Sequence, residues 1–374
     1  MQQSIVLSIN TAWNFVNFRT GLIRRLIEEG FDVVALAPAD AHIDRLRDMG
    51  VRFVDIDIDR KGLSPSRDLR LLRHYYRVLE EIAPAAYLGW TIKPNIWGSM
   101  AAARLGIPTI NNISGLGTAF MKPGPLQWIV KQLYQLALRR SATVFFQNAV
   151  DRQLFVDLKI VRMAQTALLP GSGIDLNAFA PAQPAPRDAD APITFLMIAR
   201  LLGDKGVREF VEAARQLGAA GLPARFVILG ALDHDNRSAV DASELAGWLA
   251  EGVIEHVPHQ NDVRPAIAAA DCVVLPSYRE GMPRSLLEAA AMAKPLVASD
   301  VPGCALIARE GENGLLCRVK DAGSLADAMK RMAMLSPEQR AVMGAAGRRI
   351  AECEFDERIV VDLYVNAVRC AIGQ

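Results

Sequence analysis

The sequence predicts an α/β chain made of two successive Rossmann-like domains. Three observations carry this. Short apolar runs alternate with amphipathic stretches along residues 4–147, and the pattern starts afresh at 193. Such alternation builds parallel βαβ units. A break rich in proline and alanine separates the two series, with Pro181, Pro184, Pro186 and Pro192. The length, 374 residues, exceeds what one hydrophobic core ordinarily serves. The two halves are therefore expected to face each other across a cleft.

Taken in order, residues 4–9 read as a strand and 10–17 as a polar and aromatic loop. Phe18, Leu22, Ile23, Leu26 and Ile27 recur at helical spacing until Gly30 stops them. A strand over 32–37 and a helix over 41–49 follow. Residues 52–58 alternate as a strand, and 68–82 form an amphipathic helix. Residues 85–89 and 109–113 read as strands around a helix over 95–105 that Gly106 closes. A long helix over 126–140 leads to a strand over 142–147. In the second half, strands are expected at 193–198, 225–229, 253–256, 272–275 and 296–298. Helices are expected at 205–217, 242–250, 263–270, 284–293 and 324–334, with two terminal ones over 336–352 and 357–371. This places a first domain at 1–180, a second at 181–355 and a final segment at 356–374.

Composition narrows the function. Apolar residues make up 51% of the chain, enough for ordinary cores, and the formal net charge of +1 offers nucleic acid no general attraction. The five cysteines form no C-x-x-C and no zinc spacing, which reads as reduced, buried thiols in a cytoplasmic protein. The start lacks the basic and apolar regions of a signal peptide, and no apolar run reaches spanning length. Any membrane contact is expected to be peripheral.

The chemistry concentrates in two loops. Residues 275–288, LPSYREGMPRSLLE, run from an apolar strand through Glu280, Gly281, Met282 and Pro283 into a helix that carries Glu288. Both acids can border the crevice at the carboxyl end of a parallel strand, where open α/β sheets bind ligands. Carboxylates there suit polyols, because each accepts hydroxyl donors. Residues 198–206, IARLLGDKG, follow a strand and open a helix. Arg200 and Lys205 bracket that loop, and free N–H groups at the helix start complete an anion site able to hold a diphosphate without metal.

The stretch PSYREGMPRSLLEAAAMAKPLVASDVPG, together with Arg200-x4-Lys205, resembles retaining glycosyltransferases of family 4, which have the GT-B fold. The resemblance implies that Arg200 and Lys205 grip the donor diphosphate and that Glu288 meets the ribose hydroxyls. It places Glu280 near the donor sugar and the reacting carbon, among donor contacts that include Gly281, Met282 and Pro283. The nucleotide base is implied to pack near EHVPHQND, on His256 and Val257. The loop DVPG at 300–303 offers backbone N–H groups, but Cys304, Ala305 and Leu306 stand where the family often has a Glu. The last helix is implied to return to the first domain.

The first domain departs from the usual family pattern. Asn14, Asn17 and Arg19 replace a Gly-Gly loop, and GWTIKPNIWG, with Thr91, Lys93 and Asn95, holds no catalytic histidine. These segments resemble the subgroup that elongates polyprenyl-diphosphate-linked sugars. They imply acceptor contacts at Asn14, Asn17, Arg19, Lys93 and Asn95, a UDP-sugar as donor substrate rather than cofactor, and work at the inner face of the cytoplasmic membrane. The helix over 126–140 sets aromatic and apolar residues beside Lys131, Arg139 and Arg140, with Lys122 just before, as an interfacial helix does. A sugar-nucleotide 2-epimerase of the same architecture and a non-catalytic nucleotide-sugar-binding protein are the competing readings.

No metal is expected. Asp55, Asp57 and Asp59 in DIDID share one solvent-facing side of a strand. Asp233 and Asp235 occupy a loop where a helix cap is usual.

Overall fold

The computed structural model of the chain describes residues 2–59, 64–115, 124–182, 191–233, 236 and 238–374. Pro184, Pro186, Lys122 and Asp235 lie outside the described residues. The fold divides into two compact units, Met1–Ser172 with Glu357–Gln374, and Gly173–Asp356.

The first unit runs β1 (Ser4–Ser8), α1 (Ala12–Phe18), α2 (Thr20–Glu28), β2 (Asp32–Ala37), α3 (Ile43–Asp48), β3 (Arg52–Asp55), α4 (Pro65–Ile82) and β4 (Ala86–Trp90). It continues through α5 (Ser99–Arg104), β5 (Thr109–Ile113), α6 (Pro125–Leu138), β6 (Thr143–Phe146), α7 (Ala149–Asp157) and β7 (Thr166–Leu168). The strands form one parallel sheet in the order β3-β2-β1-β4-β5-β6-β7. At its centre Ile5 of β1 lies opposite Val33 on one side and Ala86 on the other. Helices cover both faces of a parallel sheet, so its strands are apolar runs rather than alternations.

Three local readings change here. Residues 12–18 are helical, not loop: Thr11 Oγ1 accepts the Asn14 N–H at 3.1 Å, and Ala12, Phe15 and Val16 are buried. The asparagines on the open face had masked that apolar face. β3 ends at Asp55, so Asp57 and Asp59 lie beyond the strand, while Ile56 and Ile58 point into the core. α7 went unread because it buries little beyond Asp151 and Phe155.

The second unit runs β8 (Ile193–Ile198), α8 (Val207–Ala219), β9 (Ala224–Leu229), α9 (Ala242–Ala250), β10 (Glu255–Val257), α10 (Arg264–Ala269) and β11 (Cys272–Leu275). Then come α11 (Arg284–Ala291), β12 (Leu296–Ser299), α12 (Pro302–Ala305), β13 (Gly314–Cys317), α13 (Ala322–Met334) and α14 (Pro337–Glu354). Its parallel sheet has the order β10-β9-β8-β11-β12-β13. Phe195 of β8 pairs with Phe226 of β9 and with Cys272 of β11.

The sequence reading carried the first domain to 180, but residues 173–180 belong to the second unit. Ile174 bridges to Asp356, and Arg348 Nη1 donates to the carbonyls of Leu176 and Phe179 at 3.2 and 3.0 Å. These bonds satisfy the segment's backbone within the second unit. The thiols also divide: Cys272, Cys304 and Cys317 are buried, whereas Cys353 and Cys370 are exposed.

α15 (Glu357–Ile372) belongs to the first unit. It buries Val360, Tyr364, Val365 and Val368 in that unit's core. Each such side chain contributes about 1.5–3 kcal/mol of apolar transfer. Tyr364 also supplies its hydroxyl oxygen to Trp90 Nε1 at 2.8 Å and to Asn112 Nδ2 at 2.6 Å.

One helix keeps an apolar face outward. α6 buries Val130, Tyr134, Ala137 and Leu138, but Leu126, Trp128, Ile129 and Leu136 are exposed, Trp128 by 64%. Leu126, Ile129, Leu133 and Leu136 follow the spacing of a single helix face. No helix among the described residues is long and apolar enough to cross a membrane.

Candidate active site

In each sheet the strand order reverses between the two central strands: β1 and β4 in the first unit, β8 and β11 in the second. The carboxyl end of such a switch point is where open α/β sheets hold ligands. The candidate residues sit there. Arg200 and Lys205 follow β8, and Glu280 follows β11. Asn14, Asn17 and Arg19 follow β1, and Lys93 and Asn95 follow β4.

In the second unit the loops after β8 and β11 bring two of the four key side chains into contact. Lys205 Nζ lies 2.5 Å from Glu280 Oε1, with the side chains only 23% and 13% exposed. The contact depends on a backbone clamp. The Asp204 carbonyl accepts the Tyr278 N–H at 2.9 Å and the Ser277 hydroxyl at 3.2 Å. Asp204 Oδ1 accepts the Ser238 hydroxyl at 3.1 Å. Gly206, with φ of +78°, allows the loops to close, since a Cβ there would lie 2.2 Å from the Pro276 carbonyl oxygen. Gly303 plays a similar part beyond β12: a Cβ would come 2.4 Å from the carbonyl oxygen of Glu280. The residues of 300–303 thus pack directly on the Glu280 loop. Tyr278 donates its hydroxyl to Glu209 Oε1 at 2.6 Å, and burial followed by that carboxylate pushes the phenol pKa up.

The other two key side chains have partners that sequence reasoning missed. Arg200 is exposed and its Nη1 meets Asp233 Oδ2 at 2.8 Å. Asp233 is therefore an ion-pair partner rather than a helix cap; Asp241 caps α9 instead. Glu288 is buried on α11, and Arg284 Nε donates to its Oε1 at 2.9 Å. The same guanidinium donates from Nη1 to the Gly173 carbonyl at 3.0 Å and lies 5.8 Å from the Phe179 ring centroid. Burial pushes the Glu288 carboxyl up, and Arg284 pulls it partly back. The four-residue spacing of Arg284 and Glu288 on one helix face was the available signal.

Around these loops Pro283 is buried and caps α11, while Gly281 and Met282 are half-buried. His256 Nε2 lies 2.9 Å from the Gly230 carbonyl, so this nitrogen carries the proton. The Gly230 N–H in turn donates to the Val257 carbonyl at 3.0 Å. Both residues of the EHVP segment are thus tied to the end of β9. Cys304, standing in place of the family's Glu, is buried, and burial pushes its thiol up.

In the first unit the residues proposed for an acceptor fall into two groups. Asn14 and Asn17 are half-buried on α1, where Asn14 Nδ2 donates to Asn10 Oδ1 at 2.9 Å and Asn17 Nδ2 to the Trp13 carbonyl at 2.8 Å. Lys93 Nζ is 2.8 Å from Asp68 Oδ1. Arg19 is buried, its guanidinium 5.1 Å from the Trp90 ring centroid and its Nη1 bonded to the Phe18 carbonyl. Asn95 is 1% exposed, with Nδ2 on the Asn112 carbonyl and Oδ1 accepting from Asn111 Nδ2, both at 2.9 Å. Its amide is consumed by a buried network that fixes the turn after β4, and it offers no free group to a ligand. Thr91 in that turn holds a left-handed φ of +64°. For a β-branched residue this is an outlier of the kind that gathers at ligand sites.

Two of the described acids in the DIDID repeat have protein partners. Asp55 Oδ1 accepts the Ala39 N–H, and Asp59 pairs with Arg67 at 3.1 Å. No group of three or more potential metal ligands is found among the described residues.

Comparison with known proteins bears on both units. Residues 4–148 match the family model "Glycosyl transferase 4-like", and 192–334 match "Glycosyl transferases group 1". The chain is 26% identical over 365 residues to the N,N'-diacetylbacillosaminyl-diphospho-undecaprenol alpha-1,3-N-acetylgalactosaminyltransferase of Campylobacter jejuni, covering 94% of each chain. It is 24% identical over 327 residues to the Escherichia coli UDP-Gal:alpha-D-GlcNAc-diphosphoundecaprenol alpha-1,3-galactosyltransferase, covering 82% of this chain and 81% of that one. Among solved structures, a glycosyltransferase from Rickettsia africae superposes with a TM-score of 0.80 at 15% identity, covering 99% of each chain. HepE of Anabaena, solved with UDP and glucose, gives 0.80 at 16%, covering 99% of this chain and 100% of that one. These likenesses bear out the GT-B fold expected from the sequence.

Proposed function

The chain belongs to the glycosyltransferases, since both of its halves match their family models, and we propose that it moves a hexose or N-acetylhexosamine from a UDP-sugar to a polyprenyl-diphosphate-linked sugar. The observation that carries this reading is the Lys205–Glu280 contact at the switch point of the second sheet. The relatives' printed activities, both transfers to a sugar diphospho-undecaprenol, support the acceptor class and favour transfer over epimerisation.

The chemistry follows from the side chains. As the bond between sugar and diphosphate breaks, negative charge grows on the leaving oxygens. A cation already held there stabilises the transition state more than the ground state. Lys205 is that cation, and its present carboxylate partner keeps it oriented. Arg200, swinging on an exposed side chain from Asp233, is the second. Glu280 then faces the sugar, and Glu288, fixed by Arg284, accepts the ribose hydroxyls. The Pro283 cap and the half-buried Gly281 and Met282 shape the wall of the donor site, and His256 and Val257 offer the base their backbone. Among the described residues of the second unit, no side chain bonded to Glu280 other than Lys205 stands out as a separate base. Retention of configuration, with a leaving diphosphate oxygen taking the acceptor proton and no metal required, is the mechanism these groups favour.

Membrane contact is peripheral in this reading. The outward stripe of α6, with Trp128 at its centre, carries no acid, and Arg139 and Arg140 follow it exposed. Such a surface suits the anionic inner face of the cytoplasmic membrane, where the lipid-linked acceptor resides.

The test is acceptor-dependent release of UDP. The chain is incubated with UDP-N-acetylgalactosamine or UDP-galactose and a short polyprenyl-diphosphate-linked sugar, and the lipid product is weighed by mass spectrometry. A product heavier by one sugar supports the reading. Conversion of the donor to its epimer without the acceptor would overturn it.

A further inference from the structure

Two contacts, side by side, join the segment after β8 to the segment after β11. The inner one is Lys205 on Glu280. The outer one lies a helical turn further along: the Tyr278 hydroxyl donates to Oε1 of Glu209, in the first turn of α8, at 2.6 Å. Glu209 is four residues beyond Lys205, and Tyr278 is two before Glu280. Between the two contacts the Asp204 carbonyl accepts the Tyr278 N–H at 2.9 Å. Tyr278 is thereby held at both its backbone and its side-chain tip, and Glu280 follows on the same short stretch of chain.

The outer contact is chemically specific. Glu209 Oε2 is buried and has no hydrogen-bond partner among the described residues. A carboxylate kept from water with so few donors lowers stability relative to an apolar pair of the same shape. Its neighbour Arg208 turns to Glu244 instead, donating from Nε and Nη2 at 2.7 and 2.8 Å. The Tyr278 ring is held from its face by Lys320, whose Nζ lies 4.8 Å from the centroid. Lys320 takes a left-handed φ of +58°, immediately before the Asp321 cap of α13. Such a backbone angle costs a non-glycine residue free energy. Apolar packing alone needs neither the hydroxyl nor the carboxylate. What the polar contact adds is a defined length and direction.

We propose that Tyr278 and Glu209 are positioning residues of the donor site: the bond between them fixes the stretch before Glu280 against α8 and so sets where the Lys205 ammonium is held. Neither side chain touches the donor in this account. A small displacement of a group that acts in the transition state is enough to cost rate. The proposal rests on the reading of Lys205 as the leaving-group cation, and its test separates the two.

Tyr278→Phe removes the hydroxyl and keeps the ring. In transfer assays kcat should fall about tenfold, the loss of one charge-assisted hydrogen bond, with the donor KM within about twofold of wild type. Glu209→Leu should do the same, and Glu209→Gln, which keeps an acceptor, should recover most of the rate. In a Lys205→Ala background Tyr278→Phe should lower kcat by about twofold at most, because it acts through Lys205. A full further tenfold loss there would make the contact merely structural and overturn the proposal. A second readout needs no turnover. In the full-length protein labelled with carbon-13 at lysine, the Lys205 side-chain signals, assigned with Lys205→Arg, should move in both Tyr278→Phe and Glu209→Leu. Unmoved signals in both variants would overturn the proposal. If the signals move while the wild-type protein transfers nothing, the positioning contact stands and the transferase reading falls. If the wild type transfers and neither Tyr278→Phe nor Glu209→Leu lowers kcat, the reverse holds.

Discussion

Lys205 Nζ and Glu280 Oε1 stand 2.5 Å apart although 75 residues separate them in the chain. They meet because β8 and β11 are neighbours in the sheet and because Asp204 binds the backbone of the second loop to the first. The protein's own backbone thus holds the pair in place, as electrostatic preorganisation demands.

Replacing Lys205 by Ala should lower kcat by about 10²–10³-fold, the size of effect that loss of one transition-state donor produces. The circular dichroism spectrum and melting temperature should change little. A kcat within twofold of wild type would remove the leaving-group role.

Gly206→Ala tests the clamp. The new Cβ would press on the Pro276 carbonyl at a backbone angle that alanine resists. A stability loss of about 1–3 kcal/mol is expected, read as a lower urea midpoint with unchanged slope. A fall in turnover should accompany it, because the Lys205 and Glu280 loops would separate. An unchanged midpoint would show that the loops adapt.

Glu288 gives a pH dependence with a defined sign. Burial raises its folded pKa above the ordinary value of 4.5. The unfolded chain therefore releases that proton at lower pH. The contribution of Glu288 to stability is greatest below pH 4.5 and declines as the pH rises from there through the folded pKa. Glu288→Gln should remove this decline, so the difference in unfolding free energy between the two proteins should change between pH 4 and pH 7. A difference that stays constant across that range would contradict the assignment. The variant should also bind UDP more weakly.

The outward face of α6 makes a separate claim. Reversing charge at Lys131, Arg139 and Arg140 should weaken binding to vesicles rich in anionic lipid, by about 1 kcal/mol per residue near the surface. Trp128→Ala should weaken it further, including at high salt, where the apolar term remains. Cosedimentation measures both. Undiminished binding in both variants would assign the stripe to something other than lipid.

Much of this was legible in the sequence for reasons that can be named. β8 and β11 are apolar runs that can only be buried, and Arg200 with Lys205 and Glu280 with Glu288 follow them at spacings that loops and helix starts impose. What escaped depends on distance along the chain. The partner of Arg200 is Asp233, 33 residues on, and only the folding of the loop after β9 brings it close. The segment 173–180 looks like a continuation of the first half, and its membership of the second unit is set by Arg348, far downstream. Asn95 was implied as an acceptor contact only by the resemblance of its segment to the subgroup acting on lipid-linked sugars. It is instead drawn inward by Asn111 and Asn112, two polar residues on a fully buried strand. Helix α1 was hidden for another reason, its half-buried asparagines outweighing a narrow apolar face.

The most direct test is a crystal structure with an intact UDP-sugar bound. Lys205 Nζ and the Arg200 guanidinium should lie within hydrogen-bond distance of the diphosphate oxygens, with Arg200 released from Asp233, and the Glu288 carboxylate should bridge the ribose hydroxyls. A nucleotide bound away from the ends of β8 and β11, or a Lys205 still closed on Glu280 with no phosphate oxygen in reach, would contradict the account.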